Sequence, residues 1–206
     1  MSVIARMTLD SLKVIGPIST LVTSVRVHGQ LVGAMVSVIS LADHHQVKAR
    51  GIAARGDQRF DLLPNTSLSK NDRLVATQTL GIDTSALPAE HLSISVQQAP
   101  QDLSDIGLVK IEAHINYYDE YYLWVSGCIP GAVVEAFFNG MIQGRGVSEE
   151  GVVRLKLATK PEQGELVSVH QMVKGVGTGP NSTNTLEPLP SHAFRKPLDP
   201  LIRAYG

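Results

Sequence analysis

Cysteine is almost missing from this chain, and Cys128 alone among 206 residues leaves no intramolecular disulfide to hold the fold. Stability must come from a core, and Cys128 itself reads as a small buried hydrophobe. Charge of one sign is also missing: 18 Lys and Arg face 19 Asp and Glu, a net of −1 that provides no bulk attraction for nucleic acid or for an anionic membrane. Neither is expected as a partner. No apolar run reaches the roughly 18 residues of a membrane helix, so no membrane insertion is expected. The opening Met1 to Asp10 carries Arg6 where a secretory segment needs continuous apolar residues, and it shows no clear cleavage site. Either that export route is not used or the chain is an excerpt.

Signatures of chemistry are equally scarce. The sequence has no G-x-S-x-G, no Cys–His set, no phosphate loop and no H-E-x-x-H. Asp102, Asp105, Glu149, Glu150 and Glu162 are scattered rather than paired, so neither catalytic residues nor a cofactor is expected. Asp43-His44-His45 offers metal-binding side chains, but adjacent strand residues point to opposite faces, and the segment reads as a solvated hairpin tip. No metal is expected. Helical periodicity is confined to Thr8 to Ile15, about two turns.

What is present is period-two alternation with turn residues every 8–12 positions, and 43% hydrophobic residues against 18% charged, enough to bury a core. There is also internal similarity at a shift of about 95 residues. Val25-Arg-Val-His-Gly29-Gln-Leu-Val-Gly33-Ala34-Met-Val36 aligns with Leu123-Trp-Val-Ser-Gly127-Cys-Ile-Pro-Gly131-Ala132-Val-Val134. Arg50-Gly51 aligns with Arg145-Gly146, Phe60-Asp-Leu62 with Leu155-Lys-Leu157, and Asp72 to Gln78 with Glu165 to Gln171. The paired glycines suit a strand, a turn and a further strand, and Pro130-Gly131 presets such a turn. Asn139-Gly140 between apolar runs predicts a two-residue type I′ hairpin, whereas Ala42 to Gln46 at the matching place predicts a wider loop.

Short, regular strands repeated at that length predict an all-β chain of two tandem immunoglobulin-like β-sandwiches of about seven strands each. The expected division is an N-terminal segment over 1–16, a first domain over 17–100, a second over 105–189 and a Pro-rich tail over 190–206. The short link Gln97 to Asp102 limits freedom between the domains and leaves their angle to the contact surface.

The Gly127, Pro130-Gly131-Ala132 and Asn139-Gly140 succession, then Gly151 with Val153-Arg-Leu155-Lys-Leu157 and Gly164 to Gln171, resembles the bacterial immunoglobulin-like (Big-type) modules found in tandem in surface proteins, adhesins and multidomain secreted enzymes. The likeness covers about 65 of the last 100 residues. The first copy lacks the Pro-Gly and Asn-Gly signals. The resemblance implies a spacer, adhesive tip or accessory domain at an extracellular or surface location, and it carries over no catalytic residue.

Tyr117-Tyr118-Asp119-Glu120-Tyr121-Tyr122, with Trp124 behind, gathers half of the aromatic residues. On one strand Tyr118, Tyr122 and Trp124 share a face opposite Tyr117 and Tyr121, unless Asp119-Glu120 makes a turn. Part of the set can pack into a core. The functional alternative is a platform of Tyr117, Tyr118, Asp119, Tyr121, Tyr122 and Trp124 for a sugar ring or a protein partner. The expected function is therefore a non-catalytic structural or adhesive module that spaces or assembles partners, by protein binding or self-association. The alternative is a carbohydrate-binding module. Asn65-Thr-Ser67 and Asn181-Ser-Thr183 fit the glycosylation triplet, relevant only on export.

Overall fold

The structure, a computed structural model, describes residues 8–42, 44–117, 120–162 and 164–185. Up to Gln97 the strands are β1 (Lys13–Val14), β2 (Ile18–Ser19), β3 (Ser24–His28), β4 (Met35–Ser40), β5 (Gln46–Ile52), β6 (Asp57–Asp61), β7 (Arg73–Leu80), β8 (Asp83–Thr84) and β9 (Ile94–Gln97). They form two sheets, β1-β3-β6 and β2-β9-β7-β4-β5, with β8 added to β7. From Lys110 on come β10 (Lys110–Tyr117), β11 (Glu120–Ser126), β12 (Val133–Phe138), β13 (Met141–Val147), β14 (Val152–Lys156), β15 (Leu166–Val173), β16 (Gly177–Thr178) and β17 (Ser182–Thr185). Their sheets are β10-β11-β14 and β13-β12-β15, the latter extended by β16 and β17. Each pair of sheets closes on its own core, so the chain is all-β with two immunoglobulin-like sandwiches.

The cores follow from alternation. In the first, Val25, Val27 and Phe60 of one sheet face Val36, Val38, Leu74, Ala76 and Val96 of the other. In the second, Leu123, Val125, Val153 and Leu155 face Val134, Ala136, Phe138, Val167 and Val169. Intervening side chains point outward because successive strand residues alternate faces. Each large aliphatic or aromatic side chain removed from water contributes about 1.5–3 kcal/mol, which makes these inward rows the main source of stability in a chain without disulfides.

Turn chemistry shapes both halves alike. Gly33 (φ 85°) and Gly131 (φ 86°) occupy the turn position that requires positive φ, and Ala34 N and Ala132 N close these turns onto Leu31 O and Ile129 O, each at 3.0 Å. Asn139 and Gly140 have φ of 50° and 78° between the paired Phe138 and Met141, the two-residue type I′ hairpin expected. The matching loop after Ser40 rejoins the ladder only at Gln46 and is wider, with His44 and His45 exposed.

Buried glutamines tie the turns down. Gln78 Oε1 accepts from Leu31 N at 2.9 Å while its Nε2 donates to Asp10 O at 3.1 Å. Gln171 Oε1 accepts from Ile129 N at 2.8 Å and its Nε2 donates to Gly107 O at 2.9 Å. Both amides are almost wholly buried and are bonded at oxygen and at nitrogen alike.

The helix expected over Thr8 to Ile15 does not form. Lys13 and Val14 pair with His28 and Val27, and Leu12 and Val14 are buried in the first core. Two turns of helix bring little stability alone, and docking two apolar residues along a sheet edge prevails.

Candidate functional site

The tyrosine-rich segment is a hairpin, not one strand. β10 ends at Tyr117, which pairs with Glu120 at the start of β11, so the chain folds back between them and Glu120 is a strand residue, not part of a turn made by Asp119-Glu120. Tyr118 and Asp119 lie outside the described residues, as does the side chain of Tyr117. Tyr121 packs against the second core in line with Leu123 and Val125. Tyr122 and Trp124 therefore point to the outer face of the β10-β11-β14 sheet, both half-buried. The structure places Tyr122 and Trp124 together and sends Tyr121 inward.

On that outer face β14 lies beside β11, with Arg154 opposite Trp124 and Lys156 opposite Tyr122. The exposed Arg154 reaches diagonally so that its guanidinium carbon lies 4.8 Å from the centre of the Tyr122 ring. Trp124 and Arg154, with Val147, Glu149 and Val152, line a shallow depression of about 320 Å³ along the seam where β14 meets β13. Contact with the tyrosine ring restrains the guanidinium of Arg154 on this face. Arg154 was not singled out in the sequence, because the strand pairing that sets it beside the aromatics spans 30 residues.

The opposite sheet carries a polar network that sequence reasoning also missed. His170 Nε2 lies 3.2 Å from Glu135 Oε2, and its Nδ1 lies 3.0 Å from Asn181 Oδ1. Glu135, 6% exposed, also meets Arg145 Nε at 3.3 Å. Phe137 tilts against His170 with ring centres 4.9 Å apart. The register Glu135↔His170 creates this cluster, and its only trace in the sequence is a polar residue on each outward row. No hydroxyl or thiol of the described residues bonds to His170, so the network lacks the nucleophile that acyl-transfer chemistry needs. Among the described residues no group of three His, Cys, Asp or Glu could hold a metal.

Between the sandwiches the contacts are close and partly charged. Leu21 packs with Ile106, Ile129, Ala132 and Val173. A Cβ on Gly131 would stand 2.7 Å from Leu21 Cβ. Ser19 Oγ donates to Pro130 O at 2.5 Å in a buried setting. Arg59 Nη2 reaches Glu150 Oε1 at 2.7 Å and Glu149 Oε2 at 3.0 Å, while Arg26 Nη1 reaches Glu150 Oε2 at 3.4 Å. Arg26 also makes a two-pronged pair with Asp57 at 2.7 and 2.5 Å. That hydrogen bonding from Arg26 holds the Asp57 carboxyl below its usual range, against the opposing effect of burial. A cleft of about 430 Å³ opens beside the junction, bordered by Ser19, Pro100, Asp105 and Cys128. Burial pushes the Cys128 thiol up to about 11, so it is no ready nucleophile.

No protein-family model and no curated protein matches this chain. Among solved structures it is similar to a biofilm-associated protein, BSP domain, at 13% identity and a TM-score of 0.35. That match covers 85% of this chain and 29% of the other, so the chain spans under a third of that protein's length. The fold assignment comes from strand order and the two cores.

Proposed function

We propose that this chain is a non-catalytic structural or adhesive module, a rigid tandem of immunoglobulin-like domains that spaces or assembles protein partners. The observation that carries the reading is the junction. A buried hydrogen bond, an apolar contact at Leu21 and a carboxylate shared by Arg26 and Arg59 all act across it. Shallow depressions and an absence of catalytic groupings among the described residues agree with a binding rather than an enzymatic role. Spin labels at exposed Gln46 and Lys160, introduced as cysteines in a Cys128→Ala background, test the rigidity. A narrow distance distribution is the expected result, and a broad one for the intact chain would overturn the spacer reading. Light scattering at high protein concentration tests self-association, and a strictly monomeric chain would remove that mode of assembly.

Binding of a glycan is the second reading. It is supported by the outward Tyr122 and Trp124 beside a depression, since aromatic faces pack well against the C–H surface of sugar rings. Loss of glycan-array binding on Trp124→Ala, with the thermal midpoint retained, is the expected outcome. Unchanged binding would end this reading for that face.

A further inference from the structure

We propose that the depression between Trp124 and Arg154 takes a carboxylated sugar, a uronic or sialic acid unit of an acidic polysaccharide, with the indole against the ring and the guanidinium on the carboxylate. This rests on the glycan-binding reading and names the sugar class.

The argument begins with the arginines. Arg26, Arg59, Arg73 and Arg145 each meet a carboxylate within the chain. Arg50, Arg55 and Arg154 pair with no carboxylate of the described residues, and of these three Arg154 is the one that lies over an aromatic ring and borders a depression. A guanidinium over an aromatic ring keeps N–H groups for a planar acceptor, and a carboxylate matches that fork with two parallel hydrogen bonds.

Geometry adds the second half. Trp124 sits directly opposite Arg154 in the strand register, so the flat apolar surface and the cation border one depression. Its volume of about 320 Å³ lies at the small end of ligand sites, and its openness on the sheet face suits a single ring of a longer chain rather than an enclosed ligand. The acidic residue at its margin, Glu149, is engaged by Arg59 at 3.0 Å, which offsets the repulsion it would exert on an anionic ligand. An acidic peptide could also satisfy Arg154, but the depression offers no deep apolar pocket to anchor a side chain.

The test titrates the full chain with sugars that differ in the carboxylate: a galacturonate oligomer against a galactose oligomer, and sialyllactose against lactose. A polyglutamate peptide serves as the competing class. The acidic sugar should bind about tenfold or more tightly than its neutral partner, in keeping with a charge-assisted bidentate pair. Arg154→Gln should abolish that preference while keeping residual neutral-sugar binding, and Trp124→Leu should weaken both. Chemical-shift changes at the Trp124 indole N–H of the unmodified chain provide a readout independent of variant folding. Equal affinity for acidic and neutral sugars would overturn the inference and leave the glycan reading standing. Absence of binding to all sugars would overturn both. Arg154-dependent binding of polyglutamate as tight as that of the sugars would assign the site to peptide and overturn the proposal.

Discussion

Arg59, on β6 of the first sandwich, reaches Glu150, in the turn before β14 of the second, at 2.7 Å across 91 residues of sequence. Glu150 is 9% exposed at its side chain and also faces Arg26, so one carboxylate joins two arginines of the other sandwich. Its backbone has φ of 51°, a conformation few non-glycine residues adopt. Such a placement is maintained when the surroundings determine it.

Glu150→Gln should destabilise the intact chain by about 1–2 kcal/mol. That is less than a fully buried pair would lose, because Arg59 remains partly solvated and Arg26 keeps Asp57. Urea unfolding monitored by tryptophan fluorescence measures the loss, and the Arg59→Gln, Glu150→Gln double variant should lose less than the two singles added together.

Gly33 and Gly131 separate backbone strain from contact between the sandwiches. Both have positive φ, but a Cβ on Gly33 meets nothing within 4 Å whereas one on Gly131 meets Leu21 and Val22 at 2.7–2.9 Å. Gly33→Ala should therefore cost about 1 kcal/mol, and Gly131→Ala about 1–3 kcal/mol more, from overpacking. The excess should shrink when Leu21 is also cut to Ala. Equal losses at the two glycines would show that the junction does not bear on Gly131.

Acid should weaken the first sandwich through Asp57 and Asp72. Arg26 lowers the Asp57 carboxyl. For Asp72 burial is the largest single effect and raises the value, but bonds from Ser40 and Ser69 and the charge of Lys48 together bring it below 3.8. The unfolded chain thus takes up these protons first. Their stabilising contribution is intact above about pH 5 and is lost as the pH falls through 3.8 toward the folded values. Thermal midpoints between pH 6 and 2.5 should show this fall, and Asp72→Asn should start lower and fall less steeply.

Cys128 should resist alkylation in the folded chain at pH 8, because a thiol raised to about 11 holds little thiolate and is 6% exposed. Iodoacetamide labelling followed by mass spectrometry should be slow in buffer and rapid in denaturant. Fast labelling of the folded protein would show that the junction opens.

Gln171→Leu should cost about 1 kcal/mol, since it removes the side-chain partner of Ile129 N and Gly107 O at positions that water partly reaches. Gln78→Leu should behave alike for Leu31 N and Asp10 O.

By itself the sequence determined the features that depend on neighbours a few residues apart. Alternation at Val25 and Val27 or Val153 and Leu155 set which side of a strand is apolar, and Asn139-Gly140 and Pro130-Gly131 set turns through their φ preferences. What the tertiary structure alone decided involves distant strands. The aromatic cluster folded back between Tyr117 and Glu120, and the pairing of β11 with β14 set Trp124 opposite Arg154. Leu12 and Val14 joined a sheet edge rather than a helix, and Glu135 met His170 from a strand away. Arg26, Arg59 and Glu150 carry no mark of their meeting, because an ion pair leaves no periodicity in a sequence. Alternation encodes a face, but which face meets which depends on strand register and packing.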